Sequence, residues 1–222
     1  DVWMPRADYD KLLESFNREK RFPELKLISP FDKGARHTFV KIINTDTVKI
    51  ETGTTYRDTF LGVDIDVFPL DGQPTEEKAF LKYFKRLDLR YKIHFCSILD
   101  HKHGSMKRRL AAGVAALIPQ FMIRRMIKKC DKLAKCYDYS TAAYIGSKAS
   151  LYNYTNDRYK KEDFSERIKV RFEDADFYAP VGYDKILRSL YKDYMQLPPE
   201  EERVTHHANQ CYWVDAGEEK EE

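Results

Sequence analysis

Hydrophobic and acidic residues alternate between Leu61 and Gly72, where Val63, Ile65 and Val67 are separated by Asp64 and Asp66. A period of two predicts a strand, and Pro69 followed by Asp71-Gly72 predicts the turn that ends it. Side chains two apart on a strand share a face, so Asp64 and Asp66 stand side by side. β-Branched runs predict further strands at Thr38–Ile43, which carries Lys41, and at Thr47–Glu51. Tyr144–Gly146 and Arg167–Phe172 are expected to add two more, the latter alternating through Ile168, Val170 and Phe172. Asp1–Met4 has the pattern of a strand end, and Pro5 suits the first turn of a helix through Tyr9, Leu12, Leu13 and Phe16. A strand that starts at residue 1, with no initiating Met, predicts that the chain continues upstream.

Longer helical patterns follow. One runs from Thr75, with Glu76 and Glu77 in its first turn, to about Leu99, and another reaches about Cys136. Asn153–Asp163 is expected to be a polar loop. Pro180 and Gly182 lead into a helix from Tyr183 to about Tyr194, which Leu197-Pro198-Pro199 ends. The pattern describes one α+β domain over residues 1–222, with a helical insertion at 75–140 and a flexible tail at 212–222.

Leu110–Ile123 stands apart as fourteen largely apolar residues between Lys107-Arg108-Arg109 and Arg124-Arg125. It falls short of the ~20 apolar residues that span a bilayer. A buried helix with basic ends is the favoured reading, and a segment lying on an anionic membrane surface is the alternative. His101-Lys102-His103-Gly104, near Cys96 and Asp100, matches no zinc spacing and is expected to be a helix-end loop.

Composition narrows the class. Hydrophobic residues at 42% and charged residues at 34% exclude a disordered chain. A net charge of +3 gives no footprint for nucleic acid. The four cysteines, Cys96, Cys130, Cys136 and Cys211, show no Cys-x-x-Cys spacing and no secretory signal opens the chain, so free thiols in the cytoplasm are expected.

The chemistry centres on the paired carboxylates. Adjacent aspartates repel unless a cation lies between them, and oxygen ligands suit magnesium or manganese. An edge strand with a solvated acidic face is the competing reading. Longer motifs decide more than this pair. Asp1-Val2-Trp3-Met4-Pro5-Arg6, Ile65-Asp66-Val67-Phe68-Pro69-Leu70-Asp71, Lys41 with Thr47, Arg171-Phe172-Glu173 and the run Tyr191–Arg203 together resemble the LicD family of phosphocholine transferases. That family belongs to the nucleotidyltransferase superfamily, so the resemblance implies a nucleotidyltransferase-like mixed sheet.

The resemblance also implies a reaction. A magnesium or manganese ion, held by Asp1 and Asp66 with Asp64 as second choice, would bridge the diphosphate of a CDP-linked donor such as CDP-choline. Phosphocholine would pass to a hydroxyl of a cell-envelope glycan, as in lipopolysaccharide decoration, with release of CMP. Asp66 would be a ligand or the general base, and Lys41 a contact to a donor phosphate. Ribitol-phosphate, glycerol-phosphate or phosphoethanolamine is an alternative cargo, and a non-catalytic glycan- or nucleotide-binding module is an alternative role. A trimethylammonium would need an aromatic cage, for which Tyr152, Tyr154, Tyr178 and Tyr183 are available. The rest of the family's first acidic motif would lie upstream of Asp1. Lys192 stands where the family's Tyr-Gly-Asp-Tyr motif has glycine, so its backbone is either ordinary or strained. Asp71 is expected to hold its turn, with structural roles for Asp193 and Arg203.

Overall fold

A computed structural model describes residues 1–32, 37–51, 62–98, 105–147, 157–203 and 209–214, apart from the side chains of Glu51 and Asn209. The elements in order are β1 (Val2–Pro5), α1 (Arg6–Glu19), β2 (Leu25–Ile28), β3 (Val40–Asn44), β4 (Thr47–Glu51), β5 (Asp64–Gln73), α2 (Glu77–Ile98), α3 (Met106–Ala116) and α4 (Gln120–Ala134). They continue with β6 (Tyr144–Gly146), β7 (Tyr159–Lys160), β8 (Arg167–Phe172), β9 (Ala175–Pro180), α5 (Tyr183–Tyr191) and β10 (Asn209–Trp213). The fold is α+β.

Strand β5 is the axis of the main sheet, whose order is β2-β3-β5-β6-β7 with β1 also on β5. Its first residues pair antiparallel with β3, from Ile43 opposite Asp64 to Val40 opposite Val67. Its middle pairs parallel with β1, from Val2 opposite Val67 to Pro5 opposite Leu70. Its last three residues pair with β6. Pro69 and Asp71-Gly72 therefore do not end the strand. A proline lacks one donor, but β3 pairing stops at Val67, and β6 recruits Asp71–Gln73 into a new ladder.

Alternation along β5 divides its neighbours. Val67 joins Val40, Leu27 and Tyr9 in a core covered by Leu12, Leu13 and Phe16 of α1. Leu70, on the other face, packs with Ile145, Tyr159 and Ile186. Phe68 packs against Phe39 with ring centroids 4.4 Å apart, and Trp3 covers the pair. A fourth cluster joins Phe80, Tyr83, Phe84, Leu87 and Tyr91 of α2 to Cys130 of α4.

Three other expectations change. The apolar run 110–123 is not one buried helix: α3 and α4 meet at Leu117-Ile118-Pro119 with a bend of 100°. Its short side chains Ala112 and Ala115 are buried, whereas Leu110, Val114, Leu117, Phe121 and Met122 are exposed. Part of the expected polar loop, 157–163, forms β7 and a 3-10 turn, and its residues 153–156 lie outside the described residues. Tyr212 and Trp213 belong to β10, which pairs antiparallel with β4, so the tail is ordered at least to there. Residues 215–222 and the His101–Gly104 stretch lie outside the described residues.

Helix α5 ends at Tyr191 because Lys192 follows with φ 59 and ψ −117. That conformation suits glycine, so the lysine is strained. Lys192→Gly is expected to stabilise the chain by about 1 kcal/mol, raising Tm by roughly 2–4 °C in a thermal melt. An unchanged or lower Tm would contradict the strain.

Candidate active site

Three strands converge on the carboxylate pair. Lys41 lies directly opposite Asp66 across the β3–β5 ladder, and Asp64 is the next residue on the same face. The Lys41 ammonium donates to Asp66 Oδ1 at 2.6 Å and also to Asp64 Oδ2. Lys49, from β4, donates to Asp64 Oδ1. Asp64 thus has a lysine on each oxygen and a side chain only 3% exposed, whereas the Asp66 side chain is 23% exposed. The cation needed between adjacent aspartates is supplied by lysine.

Local chemistry sets β4 and β5 at this spacing. Thr47 Oγ1 donates to the Asn44 carbonyl at 2.9 Å and accepts from the Val63 amide at 2.8 Å, tying the start of β5 to the β3–β4 turn. Gly62 allows that approach, since a Cβ there would lie 2.0 Å from the Asn44 carbonyl oxygen.

The two carboxylates differ electrostatically. Burial alone would raise Asp64, but Lys41 and Lys49 outweigh it and hold the carboxyl below its usual range. Burial and the Asp64 charge push Asp66 above that range, against the pull of Lys41. One group is a fixed anion and its neighbour is an anion the fold disfavours, the contrast expected of a group available for proton or ion binding.

Asp1 is exposed. The parallel register places Val2 beside Val67, so Asp1 and Asp66 follow as the next pair of positions. Among the described residues no three His, Cys, Asp or Glu side chains form a metal-holding group. The donor chemistry still fits a hard divalent ion, because magnesium is usually held by one or two carboxylates completed by substrate phosphates and water.

Behind the cluster lie Phe39, Phe68 and Trp3, and the Lys41 ammonium sits 5.5 Å from the Phe39 ring centroid. Of the tyrosines considered for a cage, Tyr178 is exposed on β9 and Tyr183 starts α5, while Tyr152 and Tyr154 lie outside the described residues. Arg171, Asp193 and Arg203 are not among the partners of Lys41, Asp64 or Asp66.

Two site neighbours escape a sequence reading. Lys49 alternates with Val48 and Ile50, which shows that it points away from them but not toward what. His37 precedes β3 without any motif. Burial pushes its imidazole down to about 3, with Lys41 adding repulsion and Asp64 opposing it. A depressed folded value contributes stability above the unfolded value near 6.5, and this is lost as pH falls toward 3. The loss amounts to about 2 kcal/mol by pH 5. His37→Asn is expected to lose about 2 kcal/mol less than the parent between pH 7 and pH 5, measured by urea unfolding. Equal losses would remove His37 from the acid response.

The chain aligns with the lipopolysaccharide cholinephosphotransferase LicD of Haemophilus influenzae at 26% identity over 215 residues, 96% of this chain and 79% of that protein. The resemblance to the LicD family is borne out along nearly the whole chain. At 215 of 222 residues, this LicD-like span takes in β5 with Asp64 and Asp66, the β3–β4 lysines and the helices between β5 and β6. No family model matches the chain. No solved structure matches it.

Proposed function

We propose that this chain transfers phosphocholine, or a related phospho-alcohol, from a CDP-linked donor to a hydroxyl of a cell-envelope glycan, releasing CMP. The observation that carries this reading is the LicD similarity across 96% of the chain, which includes the Lys41–Asp64–Asp66 cluster. A nucleotidyltransferase-like organisation is part of the same reading, supported by Asp64 and Asp66 on β5 and by Asp1 immediately before the neighbouring strand β1.

Each residue has a role the local chemistry supports. Lys41 and Lys49 bring two largely buried positive charges to the site, which a diphosphate needs. Asp64 holds both lysines in place and is a positioning residue. Asp66 would accept the proton of the acceptor hydroxyl, a role that its raised proton affinity favours. Asp66 and Asp1 would hold magnesium or manganese. When bound, that ion would neutralise charge on the donor's phosphates. Four free cysteines support a cytoplasmic setting.

The test is release of CMP from CDP-choline with magnesium or manganese and lipopolysaccharide as acceptor, in this chain and in a form extended upstream of Asp1. Competition by unlabelled CDP-ribitol, CDP-glycerol and CDP-ethanolamine separates the cargoes. No CMP from any donor in a folded, extended chain would overturn the transferase reading and favour a binding role.

A further inference from the structure

We propose that the elbow formed by α3 and α4 is a docking surface for the anionic phospholipid head groups of a membrane. This surface is defined by the faces of the two helices left outward and does not depend on the transfer chemistry.

Both helices pack against α2. Helix α3 does so through Ala112 and Ala115, its only buried residues. The opposite stripe, Met106, Leu110, Val114 and Leu117, follows the i, i+4, i+8, i+11 spacing of one helical face. It is exposed: Met106 is 85% and Leu117 81% accessible. Lys107 and Arg109 flank this stripe at the helical angles on either side. Across the bend, exposed Phe121 and Met122 continue the apolar surface.

Helix α4 buries Ile123, Ile127, Cys130 and Ala134. Its outer face then carries Arg125, Lys128, Lys129 and Lys132, all exposed. Residues 106–134 hold eight basic side chains against one acidic, Asp131, while the whole chain is only +3. The basic charge of the molecule is therefore concentrated on this elbow, and the remainder is net acidic.

Apolar side chains rimmed by concentrated positive charge fit the interface of an anionic bilayer, where lysines and arginines meet head groups and Leu, Met and Phe enter the acyl boundary. A second copy of the chain would set the same positive face against itself. Nucleic acid would use the charge but leave the aliphatic stripe in water. No single helix among the described residues is long and apolar enough to cross a membrane, although α3 and α4 together, bent by 100°, reach that length and composition. The charged outer face of α4 opposes burial in hydrocarbon. Contact along the surface satisfies both faces.

The experiment is co-sedimentation of the full chain with vesicles of phosphatidylglycerol and phosphatidylcholine in equal parts, beside pure phosphatidylcholine. Binding is expected to the anionic vesicles alone and to weaken with salt. Reversing Arg125, Lys128 and Lys132 to Glu is expected to lower apparent affinity on the order of 100-fold. Val114→Glu with Leu117→Glu is expected to lower it at least about 100-fold, at unchanged circular dichroism. Leu117→Cys carrying an environment-sensitive fluorophore is expected to shift to the blue on anionic vesicles, which reports insertion without relying on a loss. Equal binding to both vesicle types, or no binding to either, overturns the proposal. So would a dimer that Leu117→Glu dissociates, or RNA binding, in a chain that ignores vesicles.

Discussion

Arg6→Met is expected to cost about 3–5 kcal/mol of folding stability, because it strands a buried carboxylate. Arg6 is the first residue of α1 and continues the β1–β5 register past Pro5 and Leu70 to Asp71. Its Nε and Nη2 each donate to Asp71 at 2.6 Å, a bidentate pair, and its Nη1 donates to Asp131 at 2.9 Å. Lys135 completes the network by bridging Asp10 and Asp131, each at 3.1 Å. The pair thereby ties β1 and α1 to β5 and α4.

The pH dependence gives this expectation its sign. Burial pushes the Asp71 carboxyl above its usual range, and Arg6 pulls it back. Without Arg6 the upward push is unopposed by its main partner. A raised folded value favours the fold below the unfolded carboxylate value, and that advantage is lost as pH rises through the folded value. The deficit of Arg6→Met is therefore expected to be largest at neutral pH and to shrink as pH falls toward 4, near the unfolded value of about 3.9. Urea unfolding across that range measures it. Arg6→Met combined with Asp71→Leu is expected to recover most of the loss, since two apolar partners leave no orphaned charge. A deficit that is independent of pH, or a double variant no better than the single one, would show that the pair is not what holds these elements.

The second large effect is on activity. Asp66→Asn is expected to reduce CMP release by about 10²–10⁴-fold, the usual scale of general-base loss. Its stability is expected to stay within about 1 kcal/mol of the parent, because burial already disfavours the Asp66 charge and the fold gains little from it. Asp64→Asn is expected to behave differently. The fold relies on its charge, which Lys41 and Lys49 hold low, so the variant is expected to lose about 2–3 kcal/mol. Comparing the two variants by urea unfolding beside the CMP assay separates catalysis from scaffolding. Full activity in Asp66→Asn would remove the residue from the chemistry and leave the lysine cluster without its proposed partner.

Local pattern determined a good deal about this chain. The alternation at 63–67, the Pro5 helix start and the β-branched runs depend on neighbours in sequence, and they reappear as β5, α1, β3 and β4. Alternation also put Asp64 and Asp66 on one face, and the composite motifs directed attention to Lys41 and Asp1. Tertiary structure decided what those residues meet. The sequence around Asp71 has turn residues, yet β6 and Arg6 from distant segments hold it inside a strand. Lys49 enters the site because Thr47 and Gly62 bring β4 to the start of β5. For the apolar run 110–123 burial was the favoured reading and surface exposure the alternative, since periodicity specifies a face but not its cover. Ala112 and Ala115 proved small enough to lie against α2, and Pro119 helped turn the chain. The larger apolar side chains were left facing out. Spacing along a chain selects which side chains share a face, and only long-range packing determines what that face touches.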